Sequence, residues 1–251
     1  MHFPVSIHLF GKSILLHVVL ETAAFFIGFR YYLYLKKRQS DKIAADNRIW
    51  ILIGAMTGAL VGSRLIGGLE QPTEMLQAPN KLWYFYQNKT VLGGLLGGLL
   101  GVEGIKRIIG EKHSSGDLLT FPILLALIIG RIGCFTMGVY EETYGLPTSS
   151  IFGMHLGDAY LRHPVALYEM VFAILLWWLF AKLRNTYPLA DGAVFKIFMI
   201  AYCVFRFGLD FIKPHYTYSV GLSTIQIVSL LGLLYYYRYI FHPRKLLLAH
   251  G

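Results

Sequence analysis

The sequence predicts an all-α integral membrane protein that crosses a bilayer about seven times, and three observations carry that prediction. Hydrophobic residues fill 55% of the 251 positions and charged residues only 15%, with a mean hydropathy of +0.53. That is more apolar surface than one soluble core can bury. Apolar runs close to the roughly 20 residues that span hydrocarbon recur at about 13–35, 49–69, 91–109, 117–139, 164–183, 191–213 and 221–241. Lysine and arginine divide unevenly between the connections. Thirteen fall on one side, from Lys36 and Lys37 to Arg244 and Lys245, and five on the other: Lys12, Lys81, Lys89, Arg162 and Lys213. By the positive-inside bias the N-terminus lies outside and the C-terminus in the cytoplasm, with loops 70–90 and 140–163 also outside. Residues 1–251 read as a single transmembrane domain.

Each run has its own signals. The first follows MHFPVSIHLFGK, which lacks the basic start and small-residue cleavage site of a signal peptide, so the run reads as a retained helix. The second carries Gly54, Gly58 and Gly62, and the third Gly93, Gly97 and Gly101 beside Gly94 and Gly98. This four-residue spacing lets helix backbones approach closely. Glu103, Lys106 and Arg107 shorten the third run, which is either a packed helix or a tilted or re-entrant segment. The fifth opens at Pro164, a residue suited to a first helical turn. The aromatic clusters 83–86 and 235–237 fall near helix ends, where amphipathic rings favour the headgroup layer. A net charge of +9 fits basic loops at an anionic membrane surface, not nucleic acid. Cys134 and Cys203 lie inside apolar runs, so no disulfide framework is implied. No HExxH, paired CxxC or Walker loop is present, and neither a metal nor a cofactor is expected.

Ionisable residues inside the runs are informative because each costs ~2.5–3.5 kcal/mol at a helix centre. Arg30 and Lys196 lie near run ends and can snorkel. Arg131, Arg206 and Asp210 lie deeper. Arg206 and Asp210, four apart, share a helical face and can pair. Alternatively, Arg131 and Arg206 form an anion site, since a guanidinium keeps its charge and grips phosphate oxygens in a fork. His163 is either a hydrogen-bonded cap or a catalytic group, and Cys134 either a small packed thiol or a nucleophile.

The stretch Gly130-Arg131-Ile132-Gly133-Cys134-Phe135, continuing to Gly138 and Tyr144-Gly145, resembles the signature of the prolipoprotein diacylglyceryl transferase family. Four further matches follow the same order: Gly58 to Arg64, Gly93 to Gly97, His163-Pro164 through Tyr168-Glu169, and Phe205-Arg206-Phe207 with Asp210, Gly221-Leu222-Ser223 and Gln226. Together they cover about 54–230, and the family's seven-helix, N-out topology agrees with the charge count. The resemblance implies transfer of a diacylglyceryl group from phosphatidylglycerol, or another anionic phospholipid, to the lipobox cysteine of a prolipoprotein at the outer face of a bacterial inner membrane. It assigns catalytic roles to Arg131 and Arg206; the family's base is missing here, and Lys89, His163 or Glu141 can stand in for it. Substrate contacts are implied for Arg64, Lys89, Gly93, Gly94, Gly133, Cys134, Tyr144, Gly145, Tyr168, Glu169, Asp210 and Gln226.

The sequence also departs from the family pattern. Leu92 replaces the histidine before the glycine pair, Cys134 an asparagine, Asp210 a glutamate, Lys213 an arginine and Ala166 a glutamine, while Val139–Thr143 lengthens the signature loop. Phosphate-binding arginines are kept and proton handling is changed. Three rival readings therefore stand beside the transferase: a non-catalytic phospholipid-binding relative, a paralogue acting on another lipid or acceptor, and a transporter, which the lack of an internal repeat disfavours.

Overall fold

The computed structural model describes residues 2–9, 11–39 and 41–247. A hairpin of β1 (Ser6–Leu9) and β2 (Lys12–Leu15) precedes α1 (Leu16–Arg38) and α2 (Ala45–Gly68). Two short helices, α3 (Pro72–Gln77) and α4 (Lys81–Gln87), lead into α5 (Val91–Ile109) and α6 (Asp117–Met137). The ribbon β3 (Met154–His155) with β4 (Leu161–Arg162) comes before α7 (Val165–Thr186). The chain continues through α8 (Ala193–Leu209), α9 (Thr224–Tyr235) and α10 (Tyr237–Phe241). The class is helical as predicted, with two antiparallel ribbons that the apolar runs do not announce.

Every predicted run carries a helix, and α5 coincides with its run. Four helical stretches are long and apolar enough to cross a membrane: Leu16–Arg38, Ala45–Gly68, Asp117–Tyr140 and Val165–Thr186. Helix α5 has 19 residues but bears Glu103, Lys106 and Arg107, while α8 has 17 and α9 only 12. The last run is interrupted at Tyr236 (φ −97°, ψ 10°). This corrects one expectation of the aromatic belt: Tyr235 and Tyr237 are about half exposed, but Tyr236 is buried.

The chain divides into two compact units. The first comprises Met1–Ser40, Gly116–Leu189 and Ile212–Pro214, in which α6 packs against both α1 and α7. Small residues set the α1–α6 distance. A Cβ on Gly28 would lie 3.2 Å from Ala126 Cβ, and one on Gly133 3.3 Å from both His17 Nδ1 and Leu20 Cβ. On the α7 side, Trp177 stacks on Tyr31 at 5.7 Å and takes Phe121 edge-on at 5.0 Å. Phe25, Phe26 and Trp178 point outward, each more than 60% exposed, as side chains meeting lipid tails should.

The second unit comprises Asp41–Ser115, Ala190–Phe211 and His215–Gly251. Its organising contact is a ladder of glycines between antiparallel α2 and α5: Gly54 lies on Gly101, Gly58 on Gly97 and Gly62 on Gly93. A Cβ on any of the six would strike the facing backbone. Backbone-to-backbone packing of this kind holds helices together where no hydrophobic effect operates between them. The predicted GxxxG spacing therefore has its packing role at these positions. A Cβ on Gly94 would meet only ordinary contacts, with Ser63 and Ala59, while one on Gly98 would crowd Ala55 O at 3.3 Å. At the other end of the unit, buried Arg48 donates to both carboxylate oxygens of Asp41 and to the carbonyl of Ser115, 3.3 Å away.

Candidate active site

In the first unit the site grows from α6. Arg131 and Cys134 are one helical turn apart, and Arg131 Nη1 lies 3.5 Å from Cys134 Sγ. Arg131 is 7% exposed, and its Nη2 donates to Glu169 Oε2 on α7 at 2.7 Å, where Glu169 is 5% exposed. A buried pair of this kind orients the guanidinium and balances its charge, and it is worth keeping only when both partners remain. The structure brings Arg131 and Glu169 together and commits one edge of the guanidinium to a carboxylate.

Glu141, placed by sequence among the proton acceptors, faces a residue that sequence reasoning passed over. His17 opens α1, with its Nδ1 3.4 Å from Glu141 Oε2 and its Nε2 3.4 Å from Glu21 Oε2. The ligand atoms of His17, Cys134 and Glu141 all lie within 4.8 Å of one another. The signal available in sequence was a histidine one turn before a glutamate at the start of an apolar run.

His163 lies at the loop before α7, where its Nδ1 shares a 3.2 Å hydrogen bond with the Tyr168 hydroxyl. Its backbone ties the loop to the ribbon, accepting from Gly145 N at 3.0 Å and donating to Leu146 O at 3.2 Å. Gly145 has to be small, since a Cβ there would sit 2.6 Å from His163 Cβ. Tyr144 lies under the Arg162 guanidinium at 5.0 Å, and Arg162 also pairs with Asp158 at 2.7 Å and reaches Gly145 O at 3.3 Å. The hydrogen bond from Arg162 holds the Asp158 carboxyl below its ordinary pKa. Tyr144, Gly145, His163 and Tyr168 thus form one braced loop.

In the second unit Arg206 lies in the last turn of α8 and is 4% exposed. Asp210 begins the 3-10 turn beyond it, 2% exposed, and accepts from Ser223 Oγ, with His215 Nδ1 4.0 Å away. Ser223 also caps α9: its Oγ accepts from Gln226 N at 3.1 Å while Gln226 Oε1 accepts from Ser223 N at 2.9 Å. Gln226 is fully buried, and its Nε2 has no hydrogen-bond partner among the described residues. Ser223→Ala removes a cap and a donor to a buried carboxylate together, an expected loss of about 2–3 kcal/mol. Urea or thermal unfolding in detergent measures it, and Ser223→Thr should recover most of the loss.

Arg64 donates to Tyr86 O and stacks over the Tyr86 ring at 4.8 Å. Beside it, the backbone at Lys89 closes on Gly67, where a Cβ would lie 2.7 Å from Lys89 N. Gly93 is spent on the α2 contact, and Leu92 is wholly buried.

Residues 4–241 match the family described as prolipoprotein diacylglyceryl transferase. Among its relatives, a phosphatidylglycerol–prolipoprotein diacylglyceryl transferase of Bordetella bronchiseptica is 28% identical, over 90% of this chain and 87% of the relative. Proteins of the same name from Trichormus variabilis and Cupriavidus pinatubonensis are 27% and 30% identical, over 92% and 84% of this chain and 86% and 78% of their own lengths.

Proposed function

Because the chain belongs to the prolipoprotein diacylglyceryl transferase family, we propose that it transfers diacylglyceryl from phosphatidylglycerol to the lipobox cysteine of prolipoproteins. In this reading it crosses the bacterial inner membrane about seven times, N-terminus outside and C-terminus cytoplasmic, and works at the extracytoplasmic face. The acceptor sulfur attacks the glyceryl carbon bonded to the phosphate oxygen. A C–S bond forms, the C–O bond breaks, glycerol phosphate leaves, and the thiol proton passes to a base. The protein has two tasks: to favour the thiolate and to place positive charge where the phosphate departs.

The observation that supports this reading best is the buried Arg131–Glu169 pair within the family signature. Arg131 and Arg206 serve the phosphate, with Glu169 orienting the first. Arg64, Lys89, Gly93, Gly94, Gly133, Cys134, Tyr144, Gly145, Tyr168, Asp210 and Gln226 are assigned to substrate binding, and Glu141 and His163 to proton handling. A strain depleted of its own transferase, complemented with this chain, should regain the diacylglyceryl mass increment on prolipoprotein. Absence of the increment from a correctly inserted protein sinks the reading. One specific feature favours the rival, a phospholipid-binding relative without turnover: Leu92 offers no proton acceptor and is fully buried. In that case phospholipid copurifies, Arg131→Ala releases it, and no lipid product forms.

A further inference from the structure

The cluster of His17, Cys134 and Glu141 calls for a positive centre. Among the described residues, His17 Nδ1 and Glu141 Oε2 are buried atoms without a well-aligned hydrogen bond, yet they face each other at 3.4 Å. The opposite ring nitrogen, Nε2, lies 3.4 Å from Glu21 Oε2. A proton on Nε2, shared with Glu21, leaves the Nδ1 lone pair directed at a carboxylate lone pair. Two buried acceptors at that distance repel unless a proton or a metal cation lies between them. The side chains of His17 and Glu141 are only 12% and 24% exposed, so water screens the repulsion poorly.

We propose that His17 Nδ1, Cys134 Sγ and Glu141 Oε2 form a three-ligand site for a divalent transition metal, zinc above all. Bond lengths of about 2.0–2.2 Å to nitrogen and oxygen give a tetrahedral edge of about 3.3–3.5 Å, and the His17–Glu141 separation of 3.4 Å lies in that range. The thiolate completes a third vertex, with all three ligand atoms within 4.8 Å. It has to close by no more than about 1 Å to meet a Zn–S bond of about 2.3 Å. Imidazole and thiolate select zinc over magnesium or calcium. Glu21 holds the far nitrogen of the ligating histidine, the usual second partner of such a ligand. A dication offsets the charge of its thiolate and carboxylate ligands, and the guanidinium beside Cys134 is balanced by Glu169.

Three protein ligands leave a fourth position open, the arrangement of a catalytic rather than a structural metal. Resting on the proposed transfer, that position would hold the acceptor sulfur as its thiolate, with the thiol proton released to water, the task left vacant by Leu92. Metal binding itself does not depend on that reading.

The test uses the full chain purified in detergent without chelator and then equilibrated with zinc chloride. Mass spectrometry of the metal should find about one zinc per chain, falling at least tenfold in His17→Ala, Cys134→Ser and Glu141→Gln. Cobalt should give a thiolate-to-metal charge-transfer band in the wild type that Cys134→Ser abolishes. Because this band is read on the unaltered protein, misfolding of a variant cannot produce the result. Less than a tenth of an equivalent of zinc together with no charge-transfer band overturns the site, leaving an imidazolium–carboxylate pair. Zinc without lipid transfer keeps the site and removes the proposed reaction, whereas undiminished transfer by a zinc-free protein keeps the reaction and removes the metal's role in it.

Discussion

Arg131→Ala is expected to lower diacylglyceryl transfer by at least about 100-fold and to destabilise the protein by about 3–5 kcal/mol. The two losses have different origins. Stability falls because Glu169, 5% exposed and paired with Arg131 at 2.7 Å, is left as a buried charge without its cation. Transfer falls because the departing phosphate loses a fixed positive group. The double variant Arg131→Met/Glu169→Leu separates them. It removes both charges from a buried site, so thermal unfolding in detergent should return to near the wild-type value while prolipoprotein transfer stays depressed. Wild-type transfer by the double variant would show that the guanidinium acts only in packing.

Gly58→Leu is expected to separate α2 from α5. The side chain would have to enter space already filled by the carbonyl of Gly97 and the Cα of Gly101. Neither is a side chain that can rotate away, so the cost should exceed the roughly 1–3 kcal/mol of ordinary overpacking. Cysteines placed across the ladder, at Ala55 and Gly98 where a Cβ on Gly98 would lie 3.3 Å from Ala55 O, should crosslink in the parent and lose crosslinking in Gly58→Leu. Gly104→Leu is the control, because a Cβ there meets nothing within 4 Å. Equal crosslinking in both variants would mean that the ladder does not hold the pair.

These two sites were legible in the sequence to different degrees. The glycine spacing in two runs is a local pattern with one physical use, and the structure puts the six ladder glycines to that use. Arg131 and Glu169 could be singled out because charge in an apolar run needs a reason, but their pairing needed the α6–α7 contact. Helix existence followed from run length, while the run at 221–241 hid the break at Tyr236, since apolarity continues across it. The hairpin at 6–15 was missed because its alternation is short and abuts a much stronger helical signal. His17 was invisible as a site residue for another reason: its partners Cys134 and Glu141 lie far along the chain, and nothing in the spacing around it encodes them. The expectation that no metal is held rested on motifs with nearby ligands, whereas His17, Cys134 and Glu141 come together from distant segments.

The seam between α2 and α5 has a bearing on how the protein is made. Glu103, Lys106 and Arg107 make it costly for α5 to enter hydrocarbon alone. The glycines across from it freeze no rotamers on docking, so association gives up little conformational freedom. A preceding helix that is apolar and already seated can therefore shepherd its charged companion into the bilayer, and biogenesis of this region becomes the delivery of a hairpin in place of two solitary insertions.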